Sequence, residues 1–157
     1  MVTPTCETSQ RPRILPPVYF LGALLGMTAL HFTLPIVKLI HAPYSYLGVL
    51  VVGFGLWIAI WAARLFGRAG TPIKPFEQSK HLVTGGPYRF TRNPMYLGMV
   101  AVLVGVGLLF GTLGPILLIP AFLYVIQRHF IRPEEVFMEM LFGEDYRRFK
   151  SQVKRWI

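Results

Sequence analysis

Four apolar runs, at residues 14–37, 44–66, 94–110 and 113–131, dominate the chain and restrict what it can become. At 1.5 Å per residue each approaches or crosses a hydrocarbon layer of about 30 Å. Mean hydropathy is +0.51, above that of a soluble globule, so the expected home is a bilayer. The fold class that follows is all-α and integral to a membrane, with about four transmembrane helices, a cytoplasmic loop and C-terminal amphipathic helices. A length of 157 residues makes this a single membrane domain. It divides into a polar tail (1–13), two transmembrane helices (14–66), a loop (67–92), a helical hairpin (93–131) and C-terminal interfacial helices (132–157).

The first run is longer than a signal-peptide core and has no small-x-small cleavage site, so it reads as an uncleaved helix behind Arg11 and Arg13. Gly22 and Gly26, and later Gly107 and Gly111, have the spacing that lets helices approach closely, within a chain or between copies in an oligomer. His31 reads as a packed or interfacial histidine. Tyr44, Tyr46, Trp57 and Trp61 lie toward the ends of the second run, as interface anchors do. The third and fourth runs are separated by Gly111-Thr112 and should form an antiparallel hairpin. Asn93 is a favoured N-cap and Pro94 a favoured first helical residue.

After Arg132 the composition changes: five of the seven acidic residues lie in the last 25 positions. Pro133 can open a helix with Glu134 and Glu135 in its first turn, and Gly143 can end it. Tyr146, Phe149, Val153 and Trp156 then recur at helical spacing among Arg147, Arg148, Lys150, Lys154 and Arg155, which reads as a basic amphipathic helix on the membrane face.

Formal charge is +9. No nucleic-acid reader motif accompanies it, and the basic residues flank the apolar runs. With four spans, the N-terminus, the loop and the C-terminal segment share a side that collects all of the 16 Lys and Arg except Lys38, and that side should be cytoplasmic. Cys6 is the only cysteine, so no intramolecular disulfide can form, and no metal-ligand cluster is indicated. Gly105-Val106-Gly107 lies inside an apolar span with no acidic partner and is rejected as a dinucleotide loop.

Chemistry is expected where residues 81–98 enter the third run, because a His, two Arg, an Asn and two Tyr stand there at the mouth of a membrane helix. The hairpin brings this segment to Glu134 and Glu135. A helix start beside Arg92 suits a carboxylate or phosphate, while the acidic pair suits an ammonium, ribose hydroxyls or a cation. Gly85 and Gly86 would permit close backbone approach to a ligand, and Tyr88 could pack on an aromatic ring.

In order, His81-Leu82-Val83, Gly86-Pro87-Tyr88, Arg92-Asn93-Pro94-Met95-Tyr96-Leu97-Gly98, Arg132-Pro133-Glu134-Glu135 and Phe142-Gly143-Glu144-Asp145-Tyr146 resemble the isoprenylcysteine carboxyl methyltransferase and phospholipid methyltransferase superfamily. The resemblance covers residues 78–155. It implies a membrane methyltransferase that holds S-adenosylmethionine at the cytoplasmic end of the hairpin and admits a lipophilic substrate sideways from the bilayer. Carried over by position, it implies cofactor contacts from His81, Leu82, Val83, Gly86, Pro87, Tyr88, Arg92, Asn93, Pro94, Tyr96, Glu134 and Glu135, with Arg92, Glu134 and Glu135 the catalytic candidates. Asn93 stands where the family usually has His, and Phe149 where it has a second tyrosine. The implied partners are membrane lipids and a lipophilic acceptor with a carboxylate, thiol or amine, and the implied site of action is a bacterial inner membrane. The competing readings are an NADPH-dependent sterol-type reductase and a small transporter or scaffold. The near absence of ionisable residues within the spans argues against transport of ions.

Overall fold

A computed structural model describes residues 15–34, 37–68 and 82–157. The sequence readings for Cys6, Arg11, Arg13 and His81 concern residues outside that set. Among the described residues the regular elements are helices, with one isolated bridge between Lys38 and Thr112. They are α1 (Pro16–Thr33), α2 (Leu47–Arg68), α3 (Pro94–Phe110), α4 (Leu113–Ile126), α5 (Arg132–Phe142) and α6 (Glu144–Gln152). Tight 3-10 turns, Tyr44–Tyr46 and Gly86–Arg89, lead towards α2 and α3.

Each of the four apolar runs contains a helix among the described residues. By length and composition, Tyr44–Leu65 and Leu113–Phe142 are each able to cross a membrane, and α3 is a shorter apolar helix. Large apolar side chains point outward along α1 and α2, among them Leu21, Leu25, Leu50, Phe54 and Trp57. So much exposed apolar surface suits lipid contact rather than water. The inward faces pack α1 on α4 around Met27, Leu103, Phe122, Ile126 and Phe130.

The closest helix contact is between α2 and α3, and it is made by glycine. A Cβ on Gly55 would lie 2.7 Å from the Gly98 carbonyl oxygen, and one on Gly98 would lie 2.6 Å from that of Gly55. One heptad along, a Cβ on Gly105 would lie 2.7 Å from the Gly48 oxygen. The two backbones therefore touch, which only an absent side chain permits. Of the glycines singled out by spacing, Gly22 has nothing within 4 Å of its would-be Cβ and Gly26 meets Leu118 of α4 at 3.2 Å, while the α2–α3 seam uses other glycines at a spacing of seven residues.

The hairpin turn falls where expected. Gly111 ends α3 in the left-handed region (φ 65°) and Thr112 precedes α4. The 37–40 segment is tied to this turn through Leu39 N–H to Gly111 O (2.7 Å) and Leu113 N–H to Val37 O (3.0 Å). His31 is indeed packed: it stacks on Phe110 and lies 3.0 Å from the Thr112 hydroxyl.

Two expectations about the C-terminal third are overturned. No break separates the fourth helix from Pro133. Instead α4 passes through a π turn, Gln127–Ile131, directly into α5, making one helix over Leu113–Phe142. Proline lacks an N–H and its ring crowds the carbonyl four residues back, and a widened turn ahead of Pro133 relieves that conflict. The Arg132 N–H accordingly bonds to Gln127 O, five residues back. At about 45 Å, this helix outruns the hydrocarbon layer, so α5 continues beyond the apolar part that ends near residue 131. The amphipathic helix expected over Tyr146 to Trp156 also stops early: α6 ends at Gln152, and Val153 is extended (φ −120°, ψ 129°).

Candidate active site

Joining α3 and α4 by a two-residue turn at one end fixes their other ends side by side, so the start of α3 faces α5. Glu135, 6% exposed, is the most deeply buried acidic residue of that junction. Arg92, from the segment before α3, places Nη1 3.3 Å from Glu135 Oε1, and both side chains are nearly sealed from solvent. Arg155, from the extended tail, grips the same carboxylate with a fork: Nε to Oε1 at 2.9 Å and Nη2 to Oε2 at 2.7 Å. Arg155 takes one lone pair on each Glu135 oxygen, and Arg92 is left short. Its Nε and Nη1 are buried and make no hydrogen bond among the described residues, the 3.3 Å approach being outside hydrogen-bond geometry.

The tail is held by backbone and side chain together. The Arg92 N–H donates to Lys154 O (3.0 Å), while the Thr91 hydroxyl (3.0 Å) and the Asn93 amide (3.2 Å) donate to Arg155 O. Trp156 Nε1 donates to Gln127 Oε1 at 3.1 Å, on the π turn. Asn93 is thus at the predicted N-cap position but its side chain does not cap: the amide is spent on the tail, and the α3 start relies on Pro94 at its first position.

Glu134 faces the other way across the cavity. The Tyr96 hydroxyl donates to Glu134 Oε2 at 3.1 Å. Burial pushes the Glu134 carboxyl up to about 7; the Tyr96 hydrogen bond opposes that rise and the Glu135 charge adds to it. One member of the acidic pair is thereby paired with guanidinium groups while its neighbour sits near neutrality. Burial, with the Glu134 charge behind it, also raises the Tyr88 hydroxyl. Tyr146 is pushed up to about 12 by burial and then by Glu135, with Arg92 pulling it back.

These groups surround a cleft of about 540 Å³, its open mouth included. Of the residues singled out from sequence, Leu82, Val83, Tyr88, Arg92, Asn93, Pro94, Tyr96, Glu134 and Glu135 line it. Gly86 and Pro87 do not. A Cβ on Gly86 (φ 60°) would lie 2.6 Å from Leu65 Cδ1 and 3.3 Å from Trp61, so this glycine seats the 3-10 turn on α2 rather than admitting a ligand. His81 lies outside the described residues. Sequence reasoning missed Met95, Met138, Tyr146 and Phe149 as walls of the cavity, and missed Arg155 as the partner of Glu135. For the aromatic pair the family-like Phe142 to Tyr146 segment was a usable signal. Arg155 had none beyond its basic charge.

Fold and site together define a small helical membrane protein with a buried Arg-Glu cup at one end of its bundle. Residues 44–145 match the phospholipid methyltransferase family. The chain belongs to that family of membrane methyltransferases. An uncharacterized protein of Haemophilus influenzae is 36% identical over 63 residues, which are 40% of this chain and all of that one. Probable protein-S-isoprenylcysteine O-methyltransferases of Oryza sativa, from the indica and japonica subspecies, are 32% identical over 114 residues, 69% of this chain. The match spans 58% of the rice proteins' length. No solved structure matches.

Proposed function

We propose that this protein is an S-adenosylmethionine-dependent methyltransferase whose acceptor is a lipophilic or lipid-anchored molecule reached from the bilayer. The observation that carries the reading is Arg92: two buried guanidinium nitrogens without a hydrogen-bond partner among the described residues, on a cavity bounded by carboxylates and rings. A buried donor left unpaired costs about 1–3 kcal/mol, more when charged, and an anionic ligand group would recover it. The residues fit the cofactor. Arg92 matches its carboxylate, the carboxylate of Glu134 matches its ammonium or ribose hydroxyls, and the Tyr88, Phe149 and Met95 walls suit a flat ring.

When bound, that cofactor supplies a methyl group on a positively charged sulfur, so the donor needs no further activation. What the chain contributes is alignment and the exclusion of water by the tail and apolar walls. For a carboxylate or thiolate acceptor no base is required. For an amine acceptor, Glu134, poised at about 7 and hydrogen-bonded to Tyr96, is placed to take the proton.

In the membrane, four spans, both ends of the chain on the cytoplasmic side and a cup at that face account for the charge distribution. The outward apolar faces of α1 and α2 support contact with lipid, and neighbouring lipids are the expected partners.

The test is transfer of labelled methyl from S-adenosylmethionine to a total lipid extract by the purified protein, with product identification. Transfer that falls by at least tenfold in Arg92→Ala and Glu135→Ala is the expected result. Retention of NADPH in place of S-adenosylmethionine overturns the reading.

A further inference from the structure

The two guanidinium groups at Glu135 are not equivalent. Arg155 holds both carboxylate oxygens at 2.7 and 2.9 Å, whereas Arg92 stands 3.3 Å from one of them without making a hydrogen bond. A bidentate fork takes one lone pair on each carboxylate oxygen, and here the arginine outside that fork is left with unspent donors. Here the outer, partly exposed arginine takes it, and the inner one, lining the cavity, keeps Nε and Nη1 without a partner among the described residues.

The backbone around Arg155 shows that this placement does not depend on its own side chain. Its carbonyl is held by Thr91 and Asn93, and Lys154 O by the Arg92 N–H, so the residues flanking Arg92 clamp the tail at this point. The side chain is delivered to Glu135 by bonds that a substitution at position 155 leaves in place.

We propose that Arg155 is a positioning residue: by occupying Glu135 it keeps the inner N–H groups of Arg92 available to an anionic oxygen group, a carboxylate or a phosphate, in the cavity. Without Arg155, Arg92 would swing the short distance onto Glu135, satisfy itself and withdraw its donors. The anionic-ligand part of this inference rests on the proposed function; the competition between the two arginines does not.

A mutant cycle in detergent separates them. In Arg155→Gln, Arg92 takes over the ion pair. Arg92→Gln should therefore lower the melting temperature further in the Arg155→Gln background than in the wild type, by roughly 2–10 °C. An equal or smaller drop overturns the proposal, whatever the protein binds.

Binding supplies the second readout. Arg155→Gln should weaken S-adenosylmethionine by roughly tenfold to a hundredfold, the usual worth of a charge-assisted hydrogen bond, and leave 5′-methylthioadenosine, which lacks the carboxylate, unchanged. If the anionic group is a lipid phosphate, the same split appears between phosphatidic acid and diacylglycerol in mixed micelles. Arg155→Lys, able to reach one oxygen only, should fall between. Equal weakening of the charged and uncharged probe in both pairs, or no weakening in either, marks a merely structural residue and overturns the proposal. A wild-type protein that binds neither nucleoside nor lipid probe overturns the functional reading alone, and the cycle still decides the role of Arg155.

Discussion

Replacing Glu135 by Gln removes one negative charge from a site that holds two guanidinium groups. Arg155 is about one-third exposed, so water screens its loss and its share is at most about 1 kcal/mol. Arg92 is different: with its side chain 9% exposed it would be a buried cation without a counter-charge, a defect worth about 3–5 kcal/mol. For a chain of this size that corresponds to a fall in melting temperature of roughly 6–20 °C. The assay is thermal unfolding of the detergent-solubilised protein followed by tryptophan fluorescence. The uncharged pair Arg92→Met with Glu135→Gln removes the orphan along with its partner, so the double variant should recover most of the loss. A Glu135→Gln protein melting within 2 °C of the wild type, or a double variant as unstable as the sum of the singles, would refute the assignment of Arg92 and Glu135 as a coupled buried pair.

Glu134 sets a pH dependence. Its carboxyl, ordinarily near 4.5, is raised to about 7, so the folded state binds the proton more tightly than the unfolded chain. Stability is therefore full below about 4.5 and declines through pH 7 by about 3 kcal/mol. Glu134→Gln should flatten that slope between pH 5 and 7, and an unaltered slope would assign it elsewhere. Gly98→Val should drive a side chain into the Gly55 backbone and cost at least 1–3 kcal/mol of overpacking, read as a lower melting temperature; a neutral result would mean α2 and α3 do not touch there. Trp156→Phe deletes the bond to Gln127 and should expose the tail to protease, with a loss of about 1 kcal/mol, while a tail cleaved no faster would show the bond to be idle.

Much of the site was legible. Arg92 and Glu135 lie 43 positions apart, yet a hairpin inferred from two apolar runs and Gly111-Thr112 already predicted that they meet. The parts that were not legible share a cause. Asn93 has the side chain of a cap, but which acceptor it reaches depends on where the tail lies. The Lys154-Arg155-Trp156 triplet continues a helical spacing, yet its Lys154 and Arg155 carbonyls accept from the Arg92 N–H, the Thr91 hydroxyl and the Asn93 side-chain amide, which hold it as an extended strap. Pro133 carried a readable warning: Ile131 and Arg132 offer no capping side chain, which is a poor way to begin a helix and argues for continuing one. The repeat of Gly48 with Gly55 and Gly98 with Gly105 was equally visible as a spacing of seven.

The amino-acid order by itself determined that this chain is helical, how its apolar runs are divided and which polar segments flank them. Those properties are local, since hydrocarbon demands internally bonded backbone and glycine and proline punctuate it wherever they occur. Tertiary structure alone decided which arginine satisfies Glu135 and which is left with donors to spare. That outcome is a competition for two oxygen atoms among residues distant in the chain, and only their distances in space settle it.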